Sequence, residues 1–111
     1  MIEITVRKFL QAKLGVCVYM EFPSGAKEQF VVLRKADTKR ENRIDQATFV
    51  ADSYAKSLQA TAELNERVKA AIDTLIDLDE IAAVERGSDY PAFDSTNKRY
   101  RYQALFNLTH Y

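Results

Sequence analysis

Cys17 and His110 are the only cysteine and the only histidine of the chain, so a thiol–imidazole nucleophile would have to be built from that pair. Cys17 lies inside an apolar run, where a free thiol packs as a small hydrophobe, and His110 stands one residue from the end of the sequence, a position prone to fraying. One His and one Cys do not fill a tetrahedral metal site, and a lone cysteine leaves no internal disulfide framework. Asp77, Asp79 and Glu80 cluster without the alternating ligands and central glycine of a calcium loop, and read as a solvated helix end. Gly15, Gly25 and Gly87 are too scattered for a phosphate cradle. The residues therefore read as non-enzymatic, with no catalytic, cofactor-binding or metal-binding position.

What remains is charge. Arg34–Arg43 carries five basic and two acidic side chains, net +3, and Lys98, Arg99 and Arg101 add three more positive charges. The candidate subunit or partner contacts are therefore Lys35, Lys39, Arg40, Arg43, Lys98, Arg99 and Arg101. Tyr100 and Tyr102 interleave with the second block in the manner of a base-stacking platform for a small nucleic-acid-binding domain. Alternate strand residues point to opposite faces, however, so the same spacing puts the tyrosines in a core and the arginines in solvent. A zero net charge and the lack of an RNA-binding consensus favour the second reading. Between the blocks, Glu63–Asp94 holds nine acidic and three basic residues, net −6, so neutrality arises from opposed blocks rather than even mixing.

The elements that would carry these charges follow from periodicity. Ile2, Val6, Phe9, Leu10 and Leu14 recur at helical steps, with Gly15 in the place of a C-cap glycine. Val16–Phe22 switches to period two, Pro23-Ser24-Gly25 signals a turn, and Gln29–Arg34 is a second β-rich run; together they predict an antiparallel hairpin. Arg34–Arg43 has no apolar periodicity and reads as a charged, mobile loop at about 35–45. Gln46–Tyr54 returns to strand. Ser57 is an N-cap candidate for a helix to about Asp77, with an apolar stripe at Leu64, Val68, Ala71, Ile72 and Leu75 and a supporting Glu63–Arg67 pair. Ile81–Gly87 is a weak strand, Ser88–Asn97 a loop, and Lys98–Tyr111 a strand alternating clearly.

The order α-β-β-β-α-β-β describes an α+β single domain over residues 1–111. It is a mostly antiparallel sheet of four or five strands packed on one long helix, plus a short N-terminal helix. The length of 111 residues, with 47% hydrophobic and 29% charged, suits one folded domain. No apolar run reaches the roughly 18–20 residues that cross a bilayer, and Arg7, Lys8 and Lys13 interrupt Met1–Gly15 as a signal peptide. These features place the chain in a reducing, intracellular or virion setting, away from membrane.

The run Gln46-Ala47-Thr48-Phe49-Val50-Ala51-Asp52-Ser53-Tyr54-Ala55 leads into the helix, and Arg99-Tyr100-Arg101-Tyr102-Gln103-Ala104-Leu105-Phe106 follows an Asp-rich loop with Tyr90-Pro91 and Asp94. Together they resemble the tail-completion proteins of long-tailed bacteriophages and prophages, the tail terminator or tail-to-head joining group, also labelled minor tail or minor capsid proteins. The resemblance spans Ile2 to Tyr111. It implies a non-enzymatic virion protein, assembled in the host cytoplasm at the head–tail interface. It further implies a ring, as a hexamer, on the tail tube protein, docking to a head connector or stopper protein, with passive contact to DNA in its lumen. Family members are monomeric or weakly associated before assembly, so the resemblance gives the charged segment a role in ordering against a neighbouring subunit. The alternative within the same setting is another head–tail connector or minor capsid component. No functional position carries over residue by residue.

Overall fold

The computed structural model describes residues 1–25, 27–41 and 44–111. Helix α1, Ile2–Leu14, buries Val6, Leu10 and Leu14 and ends at Gly15, whose φ of 70° is the left-handed conformation that a residue without Cβ adopts freely. Five strands follow: β1 (Cys17–Tyr19), β2 (Phe30–Glu41), β3 (Ile44–Ala55), β4 (Ile81–Pro91) and β5 (Tyr100–His110). Between β3 and β4 lie helix α2 (Leu58–Asp73) and a 3₁₀ turn, Thr74–Asp77. The strands form one sheet in the order β1-β2-β3-β5-β4, antiparallel except at β1. This is the α+β domain that the periodicity describes.

Helix α2 covers one sheet face because its stripe is continuous. Leu64, Val68, Ala71 and Ile72, then Leu75 of the 3₁₀ turn, pack with Val6, Leu10 and Leu14 of α1 onto Val31, Leu33, Phe49, Ala51, Phe106 and Leu108. Phe49 and Phe106 are cross-strand partners with stacked rings 5.4 Å apart. Such pairs add about 0.5–1.5 kcal/mol beyond the area they bury. Ser57 caps α2, its side chain accepting from Ala60 N at 3.0 Å. Arg67 does not turn back to Glu63; it donates to the Leu14 carbonyl and so ties α2 to the C-terminal end of α1. Glu63 instead accepts from Gln59.

Four expectations are corrected. First, Val16–Phe22 contributes only three strand residues, and β1 pairs with β2 parallel, Cys17 beside Phe30 and Tyr19 beside Val32. The turn signal Pro23-Ser24-Gly25 sits inside a connection long enough to bring the chain back to start beside its own beginning. Val18 enters the main core, whereas Phe22 crosses to the other side and packs with Phe30 and Tyr54. Second, Lys35–Glu41 is strand, paired from Lys35↔Phe49 to Glu41↔Ile44 with one bulge at Ala36. Backbone pairing needs no apolar alternation where both faces meet solvent, and all of Arg34–Glu41 is exposed. Third, β4 runs on to Pro91, shortening the expected loop. Fourth, Tyr100 is 43% exposed, set edge-on to Phe93; it shares the helix-side face of Phe106, but at a level that the buried stripe does not cover.

Candidate functional site

The face away from α2 carries a second, polar organisation. Asp52, only 2% exposed, accepts from Arg34 Nε at 3.0 Å and from Gln103 Nε2 at 2.9 Å, binding the three central strands side by side. Further along, Asp94, 6% exposed, accepts from Tyr54 Oη at 2.8 Å and from Asn97 through both its side chain, 2.8 Å, and its backbone, 3.2 Å. Arg101 lies 3.8 Å from Asp94 and donates to the Ala92 carbonyl at 2.8 Å. Burial pushes the Asp94 carboxyl up, but the bonds from Asn97 and Tyr54 and the Arg101 charge together outweigh it and hold it below the ordinary range. Burial and the same Asp94 bond push the Tyr54 phenol up to about 12. These two carboxylates are held by fixed donors on every side, the arrangement of structural pins.

The seven basic residues do not form one patch. Lys39↔Gln46↔Thr109 marks one end of the sheet, and Arg101↔Tyr54 the other, eight residues away along both β3 and β5 and so about 26 Å distant. At the near end, Arg101 is pinned as described, and Arg99 lies over the Phe30 ring at 5.6 Å while donating to the Lys27 carbonyl. Lys98 sits in the turn before β5, at a φ of 55°. At the far end, Lys35 pairs with Glu3 of α1 at 3.2 Å, Arg40 faces Asp45 at 3.6 Å, and Lys39 lies 4.0 Å from Glu41. Arg43 lies outside the described residues.

Cys17 and His110 also lie at opposite ends: Cys17 is level with Phe30 and Tyr54, whereas His110 pairs with Asp45. The thiol is half-buried rather than packed in the core. It lies 3.3 Å from Lys27 Nζ, and bonding to Tyr19 and Lys27 holds it below the ordinary thiol range. Asp77, Asp79 and Glu80 are exposed at the end of the 3₁₀ turn, as a solvated helix end should be. Among the described residues, no group of three or more His, Cys, Asp or Glu is placed to hold a metal ion.

The feature the arrangement does build is a pair of unlike edges. β1 covers β2 only at Phe30–Val32, so from Leu33 to Glu41 no strand lies on the outer side of β2 among the described residues. At the opposite edge, β4 has no outer strand neighbour along its eleven residues among the described residues. The β2 edge, Arg34–Glu41, carries net +2; the β4 edge with the turn before it, Asp77–Asp89, carries net −4. Arg86 is engaged with Asp73 and Asp89 with Lys69, while Asp77, Asp79, Glu80 and Glu85 make no ion pair among the described residues. A shallow groove of about 270 Å³ crosses the sheet between these edges, with Asp37 and Lys39 at one side, Glu85 at the other and Thr48 and Asn107 in its floor. The opposed charge blocks were legible in the sequence; their location on opposite edges of one sheet was not.

No protein-family model and no curated protein matches this sequence. No helix among the described residues is long and apolar enough to cross a membrane.

Proposed function

We propose that this chain is a structural subunit that assembles head to tail into a closed ring. On the resemblance carried by Gln46–Ala55 and Arg99–Phe106, that ring terminates a phage tail tube and joins it to the head. The observation that carries the reading is the pair of open sheet edges of opposite charge at opposite sides of one domain. A heterologous contact requires two different, complementary surfaces on each subunit, and it closes into a ring when the rotation between neighbours permits. Unlike charges on those surfaces set partner orientation and steer encounter more than they add affinity. The proposed partners are further copies of the chain, the tail tube protein below and the head connector or stopper above, in the virion.

The split of the basic residues supports protein contact over nucleic-acid binding. A backbone-binding surface gains affinity from many cations acting together on phosphates, and here Lys35, Arg40, Arg99 and Arg101 are each engaged within the chain at two distant places. Particle morphology after deletion of the gene tests the reading. Overlong, headless tails are the expected result. Tails of normal length beside leaking, filled heads would overturn termination and assign a head-completion role.

A further inference from the structure

We infer that neighbouring subunits join by backbone pairing, the outer edge of β2 in one copy adding antiparallel to the outer edge of β4 in the next, so that the sheet runs on from subunit to subunit. The inference rests on the head-to-tail reading above and specifies its contact.

Strand direction makes this join available. β2, β3, β5 and β4 alternate in direction across the sheet, so β4 runs opposite to β2. A copy rotated about a ring axis and set beside β4 with its sheet in continuation therefore presents β2 antiparallel to it. Each edge offers a row of backbone N–H and C=O groups with no strand partner among the described residues, the template that strand addition uses. Both edges also carry the bulges and charges that blunt indiscriminate pairing: Lys35/Asp37 on β2, and Ile81/Ala83 and Arg86/Asp89 on β4. A blunted edge resists chance partners and accepts one whose charges match.

Charge also chooses the register. Following the ladder across one subunit, Asp37, Thr48, Asn107 and Glu85 share a level, as do Lys39, Gln46, Thr109 and Ala83. Level pairing of two subunits would set Glu85 against Asp37, and like charges directly opposite destabilise. A two-residue slip keeps every side chain on its face and sets Glu85 against Lys39, with Ala83 against Glu41. One such strand pair is a small contact of the transient class, so the dilute protein stays monomeric and the closed ring gains from every subunit being held at both edges.

Disulfide trapping tests the join. In a Cys17→Ser background, the purified protein carrying Glu41→Cys with Ala83→Cys is concentrated and oxidised, then sized under denaturing, non-reducing conditions. Within one chain these positions stand three strand spacings apart, about 14 Å, too far for a disulfide, so any bond links two copies. The expected result is a ladder of covalent oligomers from this pair and little from Lys39→Cys with Ala83→Cys. Circular dichroism matching the unaltered chain verifies folding, which exposure of all three positions favours. As a second arm, Lys39→Glu and Glu85→Lys should each lower the oligomer yield at least several-fold, and the double variant should restore it. Rings seen by electron microscopy with no ladder from either pair would overturn edge pairing and leave the ring reading standing. A ladder accompanied by open fibres would support edge pairing and overturn the ring. No ladder and no association at high concentration would overturn both.

Discussion

The two halves of β2 both pair with β3, on either side of the bulge at Ala36, yet they are built on different physics. Phe30–Leu33 is wholly buried, whereas Arg34–Glu41 is wholly exposed. The first half is covered by the helices and by Phe22 and Tyr54, so its side chains fix its place. Apart from Arg34, which is pinned to Asp52, the second half has its backbone pairing with β3, an ion pair from Lys35 to Glu3 and local charge pairs. Exposed pairs of that kind are worth about 0–1 kcal/mol each. Along β2, side-chain packing thus resides in the first half, and the second half leaves its outer backbone open for an assembling subunit.

Mutations measured by urea unfolding can break this comparison. Phe106→Ala at the stacked core should cost about 4 kcal/mol, the largest effect in the molecule; a cost near zero would mean that the helix-covered face does not hold the fold. Tyr54→Phe removes one bond to a buried carboxylate and should cost about 2 kcal/mol. It should also change the alkaline limb of stability. Because the folded Tyr54 pKa is raised to about 12 from 10.0, the wild-type contribution is complete below pH 10 and fades as pH rises towards 12, a loss the Phe variant should lack. The Asp94 carboxyl, held below its ordinary value, should do the reverse, stabilising above about pH 4 and failing as pH falls through its lowered pKa. Ser53 is fully buried against the helix side, and its hydroxyl has no partner among the described residues. Ser53→Ala should therefore raise stability by about 1 kcal/mol, and a loss would point to a hidden partner for that oxygen. Thr38→Ala, on the exposed half of β2, should move stability by less than about 0.5 kcal/mol.

The same division explains which parts of the molecule could be read from sequence. Gly15, Ser57 and the stripe Leu64–Leu75 announced themselves because capping and helical periodicity are local signals tied to burial. Lys35–Glu41 did not, since a strand exposed on both faces has no alternation to display. The direction of β1 was hidden because Pro23-Ser24-Gly25 specifies a turn without saying how far the chain travels before pairing. Asp52 and Asp94 carried no comparable local signal. A carboxylate flanked by Ala51 and Ser53 in an otherwise apolar strand was the available hint, but its partners Arg34 and Gln103 are remote in sequence. The unlike edges depend on strand order, which no local pattern encodes.

Amide hydrogen exchange, compared between dilute and concentrated protein, tests most directly whether the two edges are the assembly contact. The account predicts that concentration slows exchange at outward-facing amides of Leu33–Glu41 and of Ile81–Pro91 together, while amides of α2 stay unchanged. Slowing confined to α2, or to one edge alone, would contradict it.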